Sequence, residues 1–177
     1  MKKIIFLIAL TCGIWGKMIA QADTAIWRVN AQDQAQRLDS AFKEKNWTRY
    51  AKLNHPRLVE TMGGEAAFAQ IMKDEMHKVD SLVKIDTMYF GAPYYFVVCD
   101  SSINCLLPQT MLIALNDTSM LRSRVYLVGS SEDNGRTWYF IDGSNGAEFL
   151  DIVIPKRCKN LAIPEKQQAF IRRKDGD

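Results

Sequence analysis

Ser131-Glu-Asp-Asn-Gly-Arg-Thr-Trp138, followed at once by Tyr139-Phe-Ile-Asp142, is the clearest hairpin signal in this chain. Asn134-Gly135 supplies the two positive-φ positions of a type I′ turn, with β-rich runs on both sides. Asp133 is placed to hydrogen-bond backbone N–H groups across the turn. Trp138 can fold its ring back over an apolar face. Ser131, Asp133, Gly135 and Trp138 are therefore assigned as a structural turn.

Upstream of the turn the pattern alternates with period two. Val83, Ile85, Thr87 and Tyr89 alternate with Lys84, Asp86 and Met88 as in a half-buried strand. Gly91-Ala-Pro93 turns the chain into a β-rich run, 94–99. The next run, 103–115, contains Pro108, which cannot donate to a ladder and predicts an edge or a bulge. Asn116-Asp117 turns again into 121–129, and 137–142 follows the hairpin. Consecutive hairpins make an antiparallel sheet. Downstream, 150–154 reads as a last edge strand, and residues 165–177 as a polar, frayed tail.

Ahead of the strands the period changes to 3.6. Over 24–45, Trp27, Ala31, Ala35, Leu38 and Phe42 form one apolar face, with Thr24 or Asp23 as cap. Asn46 caps a short helix, 47–53, that stops before His55-Pro56, because a residue before proline disfavours the helical region. After Gly63-Gly64 a third helix, 65–79, buries Phe68, Met72, Met76 and Val79. Helices first and meandering strands second predict an α+β fold, N-terminal helices packed on a curved antiparallel sheet.

Residues 1–22 read as a secretory leader. Lys2-Lys3 begins it, Ile4 to Leu10 starts its apolar core, and Ala20-Gln-Ala22 forms the cleavage site. Gly13, Gly16 and Lys17 interrupt the apolar run short of the ~20 residues that a membrane span needs. The expectation is a periplasmic or extracellular protein, with lipid anchoring at Cys12 as the alternative. Residues 23–164 then form a single domain. The chain carries 23 basic and 20 acidic side chains. Lys2, Lys3 and Lys17 lie in the leader, so the rest has 20 of each and a formal charge of zero. The basic pI gives no reason to expect a nucleic-acid partner. Cys99, Cys105 and Cys158 lie beyond the leader. Cys99 and Cys105 flank a short polar turn and are candidates for a disulfide, the alternative being three reduced, buried thiols. No spacing of Cys and His fits a metal, and no cofactor motif is present.

Ser131, Asp133, Gly135, Thr137 and Trp138 together resemble the Asp-box of sialidases and other β-propellers. There it is a repeated structural turn away from the active site. One copy in a chain too short for a propeller implies a turn and not a glycosidase. The order of elements has a wider likeness. Asn46-Trp47-Thr-Arg-Tyr50, His55-Pro56, Met62-Gly63-Gly64 and the closing Phe140-Ile-Asp142 resemble small exported proteins of the NTF2-like superfamily, the cystatin-like α+β roll. That resemblance implies helices on a strongly bent sheet around a cone-shaped pocket. Some such proteins are enzymes, including ketosteroid isomerase and scytalone dehydratase, and others only bind or assemble. Fold alone does not choose between them.

An isomerase-like site needs a carboxylate base with an acid or phenol donor. Asp86 sits on the face assigned to solvent, and Asp100 and Asp142 close strands, where turn-capping is the common role. No catalytic residue is assigned. Trp47, Tyr50, Tyr89 and Trp138, with His55, are the candidate lining of a helix–sheet pocket; the same aromatics also fit a plain core. The function expected is binding of an apolar small ligand or a protein partner, without catalysis and with a homodimer as one form. The alternative is a pocket enzyme of isomerase or dehydratase type using a carboxylate with a Tyr or His.

Overall fold

The computed structural model describes residues 24–99 and 101–172, so the leader, Cys12 and Asp100 lie outside the described residues. The first apolar stripe becomes helix α1, residues 24–43, burying Ala31, Ala35, Leu38 and Ala41. Lys45 ends it in the left-handed region at φ 53°, and the Asn46 N–H returns to the Ala41 carbonyl at 2.9 Å. That is a Schellman closure, formed here without glycine. The Asn46 side chain accepts from the Arg49 N–H and starts α2, Trp47–Leu53. Pro56, at the first helical position, opens a helix that sequence periodicity missed, α3, Pro56–Thr61. Helix α4, Glu65–Leu82, runs one turn longer than its apolar stripe predicts.

Six antiparallel strands follow: β1 Lys84–Phe90, β2 Tyr94–Cys99, β3 Ser102–Ala114, β4 Ser119–Ser131, β5 Tyr139–Asp142 and β6 Gln167–Arg172. The architecture is α+β, with N-terminal helices on a curled antiparallel sheet. β3 and β4 pair along twelve positions and form its spine. On one side of β3, β2 pairs its first half and β1 its second. On the far side of β4, β5 and β6 divide the strand in the same way. Pro108 is neither at an edge nor in a bulge, contrary to expectation. Its carbonyl accepts from the Gly91 N–H at 2.8 Å, so its missing N–H faces the gap where β2 gives way to β1. A central strand tolerates the ring there because no ladder bond is lost.

Alternation sends the two faces of β3 to different layers. Ile103, Cys105 and Leu107 meet α1, together with Leu127, Trp138 and Phe140. Gly129 lies opposite Cys105, where an added Cβ would stand 2.7 Å from its sulfur. Leu106, Val128 and Ile141 face the other way, towards Leu150, Val153, Ile154, Cys158 and Leu161. The run at 150–154 is therefore not an edge strand. It belongs to a helix, α5, Ala147–Val153, that buries Leu150 and Val153 on the outer face. Nor is the tail from 165 wholly free, since β6 pairs with β4 from Ser119 to Arg124.

The disulfide also differs from expectation. Cys99 bonds Cys158, and Cys105 is a free, buried thiol. Cys99 pairs with Ser102, on the outer face, whereas Cys105 lies on the α1 face, so the sheet separates them. Buried Asn104 reinforces the staple by accepting the Cys158 N–H at 2.7 Å, and the Ser102 hydroxyl donates to the Lys156 carbonyl at 2.7 Å.

Candidate functional site

The tight corner between α1 and α2 sets the Trp47 ring edge-on to Phe42, with centroids 5.6 Å apart. Both rings line a cleft of about 380 Å³ that continues over Met76 of α4 and Ile85 and Met88 of β1. Met88 is held from below by the Gln109 amide, which donates to its sulfur at 3.1 Å. The floor is thus aromatic and thioether, and its rim carries Lys43, Lys45, Asp80, Asp86 and Thr87. Lys45 bridges to Asp80 at 2.6 Å, tying the α1 end to α4, and Lys43 is paired with Asp39 at 2.6 Å. A wider lobe of about 590 Å³ shares Trp47, Met76 and Asp80 and adds Lys73, Asp74 and His77. Apolar contact with two already paired ammonium groups at the edge suits binding more than proton transfer.

Of the five pocket residues expected from sequence, Trp47 alone lines this cleft. Tyr50 stands behind it, between Trp47 and Phe68. Burial drives the Tyr50 phenol up to about 12; a hydrogen bond with Asn54 eases the shift and the Asp142 charge adds to it. His55 is buried at the start of α3, where its N–H donates to the Phe140 carbonyl at 3.2 Å. Its ring meets Tyr139 at 6.3 Å, and its Nδ1 has no partner among the described residues. Burial lowers the His55 pKa, opposed by Glu132 and assisted by Arg57. Tyr89 pairs with Thr110 on the opposite face of the sheet. Trp138 is fully buried, edge-on to Phe96 at 5.7 Å. The expected pocket is thus filled by side chains around Trp138, and the opening lies at the other end of α1. Phe42 and Met76 were missed because their periodicity is that of core positions, and Met88 because simple alternation put it on the solvent face with Lys84 and Asp86. The register shift between Ile85 and Thr87 turns Met88 inward and Tyr89 outward.

The hairpin is organised by its own hydrogen bonds. Asn134 and Gly135 take φ 60° and 77°. Asp133 Oδ1 accepts from the Ser131 hydroxyl at 2.8 Å and from the N–H groups of Arg136 and Thr137 at 3.1 and 2.8 Å. Burial works against this carboxylate, but the bonds from Thr137, Ser131 and Arg136 outweigh it and hold its pKa below the usual value. Trp138 Nε1 donates to the Gly135 carbonyl at 3.0 Å, and Asn30 of α1 donates to the same oxygen at 2.8 Å. A Cβ on Gly135 would stand 2.1 Å from the Trp27 ring, so glycine is required by contact as well as by φ.

Among the described residues no group of three or more His, Cys, Asp or Glu side chains is arranged to hold a metal ion. No helix among them is long and apolar enough to cross a membrane. Comparison with known proteins gave no matching family model, no matching curated protein and no matching solved structure.

Proposed function

We propose that this chain is an exported, non-enzymatic binding domain of NTF2-like type that holds an apolar small ligand, or a partner's apolar side chain, in the α1–α4–β1 cleft. The observation that carries the proposal is the open floor of Phe42, Trp47, Met76 and Met88 under a rim of paired charges. Each CH₂ that a ligand buries there contributes about 0.8 kcal/mol. An exposed pair such as Lys45–Asp80 contributes at most about 1 kcal/mol. Apolar contact therefore dominates affinity, and the ion pairs fix orientation. The isomerase or dehydratase alternative needs a carboxylate beside a Tyr or His in an enclosed site. His77 and Asp80 share the wide lobe, but both are exposed on the surface of α4.

Native mass spectrometry of the purified protein, with intrinsic fluorescence during titration with 1-naphthol, tests the proposal. Wild type should carry an adduct or quench on titration, and Met76→Lys should lose both while keeping its urea midpoint. Absence of adduct and quenching in wild type, or their persistence in Met76→Lys, would remove the cleft as the site.

A further inference from the structure

The face of the sheet turned away from α1 carries a second surface. On β3, Leu106 is covered by the α5 layer; further along the same face Pro108 and Leu112 are half-buried and Thr110 is buried, with more exposed side chains around it. Directly paired residues share a face. Tyr94 stands opposite Leu106, Tyr126 opposite Pro108, Tyr89 and Arg124 on either side of Thr110, and Arg122 opposite Leu112. Tyr89 is 44% and Tyr94 38% exposed, and both arginines are exposed. Arg124 is steered by Thr110, whose hydroxyl accepts from its Nε at 3.4 Å. Neither guanidinium has a carboxylate partner among the described residues.

A local irregularity singles out the same place. The register of β2 shifts between Tyr94 and Val97, and Tyr95 within that bulge takes φ 53° with 49% of its surface exposed. A bulky residue in the left-handed region is an outlier. Bulges and backbone strain of this kind gather at sites that re-aim side chains for binding. Here the extra residue leaves Phe96 in the core against Trp138 and keeps Tyr94 on the outer face.

We propose that this tyrosine–arginine face binds an acidic polysaccharide, Tyr89 and Tyr94 packing against sugar rings and Arg122 and Arg124 taking uronate carboxylates. A tyrosine ring offers an apolar body and a polar tip, which matches a sugar with its C–H face and hydroxyls. The guanidinium fork fits a carboxylate with two parallel hydrogen bonds. The surface is an open sheet face and not a pocket, so it suits a chain that lies across strands. Nucleic acid fits less well, because its affinity is carried by many phosphate contacts. Two arginines on a chain with no net charge beyond residue 22 supply few of them.

Native-gel electrophoresis through immobilised polygalacturonate tests the assignment, with dextran, poly-glutamate and oligo-dT as comparison matrices. Wild type should be retarded by polygalacturonate and by none of the others. Arg124→Gln should weaken the retardation about tenfold, the loss of roughly one charge-assisted contact, and Tyr94→Ala about tenfold through the lost ring packing. Both positions are exposed, so thermal melting should match wild type. Met76→Lys, in the cleft on the other side, should be retarded like wild type, which separates this surface from the apolar site. The proposal is overturned if polygalacturonate does not retard wild type or retards the two variants equally. Retardation by poly-glutamate or oligo-dT would likewise reject it in favour of a peptide or nucleic-acid surface.

Discussion

The two halves of the sheet share β3 and β4 and differ in what covers them. The half that pairs with β2 and β5 lies between two layers, α1 on one face and the α5 segment on the other. It also contains the hairpin, the disulfide and buried Asn104. The half that pairs with β1 and β6 ends in two outer strands, with Phe170 81% exposed on one of them and Tyr89 half-exposed on the other. The cleft opens beside β1, and the tyrosine–arginine face spreads over the strands of the same half and reaches the edge of the other at Tyr94 of β2. A chain this size has about 5–15 kcal/mol of stability to distribute. Concentrating it in one half leaves the other free to expose apolar and cationic groups.

Trp138→Ala is the most severe way to challenge that division. Emptying a fully buried aromatic site should cost ~3–5 kcal/mol. Urea unfolding would show it as a large fall in midpoint with little change in slope. If Trp138→Ala unfolds like wild type, the double-covered half is not where stability resides. Cys158→Ser comes next. The Cys99–Cys158 bond spans 59 positions. Its loss should cost about 2–4 kcal/mol, measured by the same titration. In unreduced protein lacking residues 1–22, alkylation should find one thiol, Cys105, and only after denaturation. Two or more reactive thiols would mean that the staple is not formed. Phe170→Ser marks the other extreme. The side chain is largely in water, so the change should lie within about ±0.5 kcal/mol. A loss of several times that would show that β6 is buried against something.

Local chemistry made the turn legible in advance, since Asn134-Gly135 takes the two positive φ values expected of it. Its length was not legible: seven residues, 132–138, separate β4 from β5, held by the Asp133 hydrogen bonds where a two-residue hairpin was expected. The first and fourth helices were legible for a related reason, their apolar stripes repeating at the helical period, and the second from its Asn46 cap and the proline that follows it. Leu150 to Ile154 failed because a short apolar run fits a strand or one face of a helix equally well. What decides there is the outer surface of Leu106 and Val128, which lies far away in sequence. The disulfide failed on parity: a polar turn places Cys99 and Cys105 near each other, but only the register shows that they face opposite layers. The cleft was illegible because nothing local distinguishes an aromatic in the core from one beside an opening. Trp47 and Trp138 are both buried, and only the packing at the end of α1 sets Trp47 beside an opening.

The contact between Asn30 and Gly135 joins positions 105 apart. Every buried sheet residue clustered with Ala31, Ala35 and Leu38 lies at position 103 or later, with Phe90 and Phe96 packed at the edge of the cluster. During synthesis the buried face of the first helix therefore lacks most of the sheet it packs on until the later strands have been made, although its end already meets Trp47 and Tyr50 through Phe42. Closing so long a loop is slow relative to forming local turns.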